Sequence, residues 1–312
     1  MTRWKIATVA PKQIGWAIQT RNLVIPWIEK STDDNLKLQI YWGGVLGNDQ
    51  EYLEKMRLGQ LQGAGISGAG AYIACPEFNV LGLPFLFKSY DEVDYVRKVM
   101  YSTFDHYFSQ DGYKLFLWLE TGFDPVFSTK RPMTSVDAFR RSRIQTWFGP
   151  VEMAGLEALG ATPVPLSTMD GIAAYKAGII DSSIMPVLGC IGAQLHTLVK
   201  YVTPWKMRYS PALLLVSRDA WTQLPRQYRD NLEVGRGAVE NEFISATREE
   251  VRIGMKALEE YGVHLEELSP ETLADFKKRT HPVWGRFAGD LYPAELLEEM
   301  LQHLADFRKG VK

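Results

Sequence analysis

Imidazoles and thiols are scarce in this chain of 312 residues, which has 5 histidines and 2 cysteines. Cys75 and Cys190 stand far apart in the apolar stretches AYIACPEF and MPVLGCIGA, with no CxxC or zinc-ligand spacing, and read as buried single thiols. His106, His196, His264, His281 and His303 are equally dispersed, and no HExxH, GxSxG or Ser/Asp/His grouping occurs. Nothing in this inventory points to an enzyme, a metal or a cofactor. Charge of one sign is also missing: 35 Lys+Arg against 37 Asp+Glu leave a net charge of -2, which argues against a nucleic-acid partner. No apolar run reaches the roughly 18 residues of a membrane span. No signal peptide is read in Met1-Thr-Arg-Trp-Lys, although a removed export signal is compatible with that start.

Aromatic rings are plentiful, at 12% of residues with 9 tryptophans. Short apolar runs alternate with amphipathic stretches, the pattern of an α/β protein. Strands are expected at 6–9, 36–42, 113–119, 142–146, 162–165, 179–181 and 212–217. Helices are expected at about 15–30, 49–58 with Asp49 as cap, 89–99, 150–159 and 168–178. A long helix from Pro225 to Tyr261 is expected to bury Leu232, Val234, Phe243, Ile253 and Leu258, and 270–312 reads as helical. With no low-complexity linker, two domains would be joined by several short crossings, the arrangement of a hinged pair. Gly63-Ala-Gly-Ile-Ser-Gly68 matches GxGxxG, but no apolar strand precedes it and Asn79 stands where an acid is needed downstream. Its glycines are read instead as allowing close backbone approach to a neighbouring element or a ligand.

Seven stretches carry a resemblance. They are Tyr41-Trp-Gly-Gly-Val-Leu-Gly47, Met56-Arg-Leu-Gly59, Leu83-Pro-Phe-Leu-Phe87, Lys130-Arg-Pro132, Ala158-Leu-Gly-Ala-Thr-Pro-Val-Pro165, Ala177-Gly-Ile-Ile-Asp181 and Leu213-Leu-Leu-Val-Ser217. In this order and spacing the chain resembles the solute-binding proteins of tripartite ATP-independent periplasmic (TRAP) transporters, the DctP type, from about residue 5 to about 265. The resemblance implies a two-domain periplasmic-binding-protein-like α/β fold, each domain a sheet flanked by helices, with a long interdomain helix. The expected division is 1–123 plus about 211–250 for one domain and 124–210 plus about 251–312 for the other, with a ligand cleft between them. It also implies a periplasmic, non-enzymatic receptor that closes like a trap on a small molecule and delivers it to membrane permease subunits.

Members of that family mostly bind organic acids through an Arg in a K-I-R-x-x-x-x-P pattern, whose guanidinium grips a carboxylate with two prongs. Here the stretch is Arg143-Ile-Gln145-Thr-Trp-Phe-Gly-Pro150, so Gln145 holds the Arg position. The family's G-F-R reads Gly122-Phe123-Asp124, and its D-G-Q-E-N-P reads Asp181-Ser-Ser-Ile-Met-Pro186. Two positions that would supply +2 thus supply about -1. A ligand carboxylate ~4 Å from Asp124 would be repelled by roughly 4 kcal/mol at an effective dielectric near 20, about a thousandfold in affinity. A cation would gain by the same amount, with cation–π attraction from Trp147 or Phe148, Trp205 and Tyr209. Gln145 and Ser183 would bind a hydroxyl, and Met185, Phe85 and Ser67 complete the candidate site. The expected ligand is amine-bearing: an amino alcohol, a small amine or a quaternary ammonium compound. The alternative is an organic acid held by Lys206 or Arg208 turned inward. Asp124 before Pro125 also reads as a turn former. An enzyme using Glu120, Asp124 and Asp181, or a sensor lobe, remains a remote reading.

Overall fold

The computed structural model describes residues 1–147, 149–166 and 170–310. Its strands form two sheets. The first contains β1 (Thr2–Thr8), β2 (Leu36–Tyr41), β3 (Gly63–Ser67), β4 (Tyr113–Phe123) and β10 (Tyr209–Ser217) in the order β2-β1-β3-β10-β4. β1 lies parallel to β2 and β3, and β10 runs antiparallel to β3. The second contains β5 (Val126–Ser128), β6 (Arg143–Thr146), β7 (Thr162–Pro165), β8 (Ser182–Ile184), β9 (Tyr201–Thr203) and β11 (His264–Leu265) in the order β11-β9-β5-β8-β6-β7. β6 is parallel to β7 and β8, while β5 opposes β8 and β9.

The chain divides into two compact units: 1–75, 101–121 and 211–250 form the first, and 76–100, 122–210 and 251–312 the second. β4, β10 and the helix Arg226–Tyr261 each carry residues of both. Segment 76–100, grouped with the first domain on sequence, packs in the second unit. In the first unit Trp4, Ile6, Phe116, Leu117, Val216, Leu232 and Phe243 share one buried cluster. The second unit has two such clusters, one around Phe139, Ile144, Leu156 and Trp205, the other around Phe127, Tyr175, Val202 and Leu258. Both cysteines are free and buried, and burial pushes the Cys190 thiol up to about 12.

Several expectations are corrected by packing. On the long helix Leu232, Phe243 and Leu258 are buried, but Val234 is 88% and Ile253 53% exposed. Val234 sits two residues from Leu232, about 200° around the helix, so burying one exposes the other. The helix expected at 15–30 contains a wider i→i+5 turn at Thr20–Val24. Pro26 lies just beyond it and has no N–H to continue the regular ladder. Asn48, not Asp49, caps Asp49–Arg57, in a reciprocal box with Glu51. The third strand of the middle region is Ser182–Ile184 rather than 179–181, because Ile179 is half exposed and Asp181 bonds the Arg143 backbone instead. The expected helix at 168–178 is seen at Gly171–Lys176, residues 167–169 lying outside the described ones.

The GxGxxG stretch proves to be a packing device. Its first glycines are on β3, between β1 and β10. A Cβ on Gly63 would lie 2.5 Å from the Leu215 carbonyl oxygen and 2.8 Å from Ile6 Cδ1. Gly63→Ala should therefore destabilise the protein by about 1–3 kcal/mol, as overpacking does. In the long helix, Gly237 has nothing within 4 Å of a built Cβ, so Gly237→Ala should stabilise by up to about 1 kcal/mol. Urea denaturation of the two variants checks this by midpoint shifts of opposite sign.

Candidate functional site

β6 and β8 are parallel, with Ile144 opposite Ser182 and Gln145 opposite Ser183. Their carboxyl ends, where open α/β sheets build binding sites, bring together the positions that depart from the family pattern. Thr146 ends β6 with Trp147 next in the chain, Ile184 ends β8, and Asp124 lies between β4 and β5. The chain returns to this place at Arg208 and Ser210, which stand two apart on one face at the start of β10.

Arg208 is the centre. It is 3% exposed, with its guanidinium held between two acids. Nε donates to Asp124 Oδ2 at 3.1 Å, and Nη2 donates to the same oxygen and to the Ile184 carbonyl at 3.0 Å. Nη1 donates to Glu152 Oε1. Ser210 Oγ also donates to Asp124 Oδ2. Glu152 lies in the first turn of Pro150–Ala158, where a carboxylate is favoured by the helix dipole. Its Oε2 accepts from Thr146 Oγ1 at 2.5 Å and from the Trp147 backbone N–H at 3.1 Å. The Trp147 ring lies 5.5 Å from the guanidinium, and its Nε1 donates to the Ile184 carbonyl at 3.3 Å.

Asp124 is thus not the free counter-charge pictured from sequence. One of its oxygens is saturated by Arg208 and Ser210. The other, Oδ1, is buried with no hydrogen-bond partner among the described residues. Burial pushes the Asp124 carboxyl up, an effect that Arg208 and Ser210 only partly oppose and that Glu152 adds to. With both acids ionised the cluster carries one net negative charge.

The other candidate residues separate by neighbour. Gln145 is buried and its Nε2 donates to the Leu166 carbonyl at 3.5 Å. Ser183 accepts the Tyr175 hydroxyl at 2.6 Å. Tyr209 packs edge-on against Phe87 and Phe123, with centroids at 5.5 and 6.0 Å. Trp205 and Phe85 belong to the apolar core, edge to face at 5.9 Å, and the Trp205 Nε1 donates to the Asp124 main-chain oxygen at 3.1 Å. Those two rings support the site from behind. Met185 is likewise a core side chain. Phe148 lies outside the described residues. Ser67 belongs to the first unit, where its hydroxyl and N–H both donate to Asp49 Oδ2. Burial pushes the Asp49 carboxyl up against those bonds.

Glu152 and Ser210 were missed by sequence reasoning. Gly149-Pro150-x-Glu152 is a legible helix start with an acid in its first turn. Ser210 was findable as the same-face neighbour of Arg208 once a strand was placed there. Lys206 remains exposed, its Nζ donating to the Lys88 carbonyl at 2.8 Å.

The profile of bacterial extracellular solute-binding protein family 7, DctP, matches residues 8–290. The chain belongs to that family. Family members bind small-molecule solutes for TRAP transporters, work with a membrane permease and are not enzymes. A solute-binding protein of Verminephrobacter eiseniae is 25% identical over 262 residues, covering 83% of this chain and 73% of that protein. The C4-dicarboxylate-binding periplasmic protein DctP of Rhodobacter capsulatus is 24% identical over 267 residues, covering 83% and 79%. Among solved structures, the sugar-acid-binding protein of Advenella mimigardefordensis in complex with galactonate superposes with a TM-score of 0.90 at 18% identity, covering 97% and 98%. The fold is therefore that of two-domain TRAP binding proteins. No helix among the described residues is long and apolar enough to cross a membrane.

Removing Arg208 isolates two buried carboxylates. Arg208→Met should cost about 3–5 kcal/mol near neutral pH, more than Asp124→Asn. Without the guanidinium the Asp124 carboxyl, already pushed up by burial, rises further above its unfolded value, so folding takes up a proton and stability falls as pH rises. Denaturant unfolding of Arg208→Met should therefore recover part of the loss when the pH is lowered toward the ordinary carboxylate range.

Proposed function

We propose that this solute-binding component of a TRAP transporter captures a small amine-bearing solute, such as an amino alcohol, a primary amine or a quaternary ammonium compound. We further infer that it does so in the periplasm, where members of its family work. The observation that carries the ligand reading is Asp124 Oδ1, a buried carboxylate oxygen without a hydrogen-bond partner among the described residues. It belongs to a cluster in which two acids face one guanidinium. An ammonium group reaching Oδ1 would satisfy that oxygen and neutralise the excess charge. A carboxylate there would add to it, and the Arg208 nitrogens already have protein acceptors. Gln145 stands where the family pattern is expected to carry its carboxylate-gripping Arg, while the Trp147 ring already takes the Arg208 guanidinium, so the cation reading rests on Asp124 Oδ1 rather than on ring faces.

A second reading keeps an organic acid, in line with the C4-dicarboxylate and galactonate of the relatives. Its support is the upward push on Asp124. With that carboxyl protonated, Arg208 and Glu152 balance and the repulsion disappears. The acid would then be held through neutral donors or a displaced Arg208.

A thermal-shift screen separates the two. Ethanolamine, choline and small diamines form one panel; glycolate, malate and galactonate form the other. A ligand at 100 times its Kd stabilises by about 2.7 kcal/mol. Amines should raise the melting temperature of the wild type. In Asp124→Asn the unliganded protein should melt lower, because the Arg208 pair is weakened, and the amine response should be lost. A rise with acids alone sinks the amine reading.

A further inference from the structure

An open groove of about 630 Å³ lies wholly within the first unit, on residues the solute site does not use. The helices Tyr101–Gln110, Arg218–Thr222 and Arg226–Tyr261 and the start of β4 build it. Its lining carries four cations, Lys114, Arg218, Arg229 and Arg236, against two acids, Asp105 and Glu233. Both acids are taken by Lys114, at 2.8 and 2.7 Å. Arg236 pairs with Glu240 at 2.9 Å and lies 3.3 Å over the Tyr101 ring. Glu233 is its second partner at 3.4 Å.

Arg218 and Arg229 are left over. No ion pair engages either among the described residues. Arg218 donates from Nη1 to the Ser109 carbonyl at 3.0 Å, and Arg229 Nε is buried without a hydrogen-bond partner. Two uncompensated guanidinium groups in one concavity repel each other, and an anion between them relieves that repulsion. A guanidinium meets an oxyanion through parallel N–H donors, and two such forks match a doubly charged group. The Trp221 and Tyr101 rings wall the groove with low-dielectric surface, which strengthens the attraction.

We propose that this groove is a second binding site, taking a small divalent oxyanion of the phosphate type between Arg218 and Arg229. It is independent of the amine-bearing solute. The test is calorimetric titration of the whole protein with sodium phosphate, against sodium chloride at matched ionic strength. A saturable phosphate heat is expected in the wild type, with affinity about tenfold or more weaker in Arg218→Gln and in Arg229→Gln. Arg218 is exposed, so its variant should keep the wild-type melting temperature and serves even if Arg229→Gln folds poorly. Absence of a saturable heat beyond that of chloride, or undiminished phosphate affinity in Arg218→Gln, overturns the proposal.

Discussion

A guanidinium buried between two carboxylates sets the geometry of the second unit. Taking Arg208, Asp124 and Glu152 out of water costs several kcal/mol per ion, and only close, multiple hydrogen bonds offset that cost. All three guanidinium nitrogens have acceptors here, drawn from Asp124, Glu152 and the Ile184 carbonyl. These groups come from four separate segments: the turn after β4, the start of a helix, the end of β8 and the entry to β10. A shift in any one would strand a buried charge. The cluster therefore holds the carboxyl ends of β6 and β8 in register, and with them Trp147, Gln145 and Ser183.

The same cluster transforms the electrostatics of a familiar scaffold. This chain places an acid at 124 and a guanidinium at 208, and that positive charge is directed inward at protein carboxylates. The acids outnumber it, and burial works against keeping Asp124 ionised. On the proposed reading, solute charge would be sensed through the protonation balance of this small buried group rather than by a single exposed side chain. In the first unit Asp49 shows a related arrangement on a smaller scale. Ser67 satisfies one oxygen, the other is buried with no hydrogen-bond partner among the described residues, and burial pushes the carboxyl up.

Much of the fold was legible from local pattern. β1, β2, β4, β7 and β10 follow short apolar runs, and the long helix after Pro225 carries a chemical start signal, whereas the cap at 49–58 was read one residue late. What local pattern missed were the three-residue strands Val126–Ser128 and Tyr201–Thr203, too short to show a period of two. It also misassigned Val234 and Ile253, since an apolar residue in a helical run does not reveal which side faces the core. At the site, the identities of Asp124, Gln145 and Ser183 could be read directly as differing from the expected pattern. Trp205 and Phe85 were named as site residues from the resemblance, yet they fill the core behind Asp124.

The sequence by itself determined the family, the alternation of strands and helices, the scarcity of histidine and cysteine, and the residue identities at 124 and 145. These are properties of residue identity and spacing along one dimension. Only the tertiary structure decided what became of the charge. Asp124, Glu152 and Arg208 are 28 and 56 residues apart in the chain. Whether an acid repels a ligand, attracts one or is consumed by a neighbour depends on distances of a few ångströms and on exclusion of water. Those are set when β5, β8 and the entry to β10 come together.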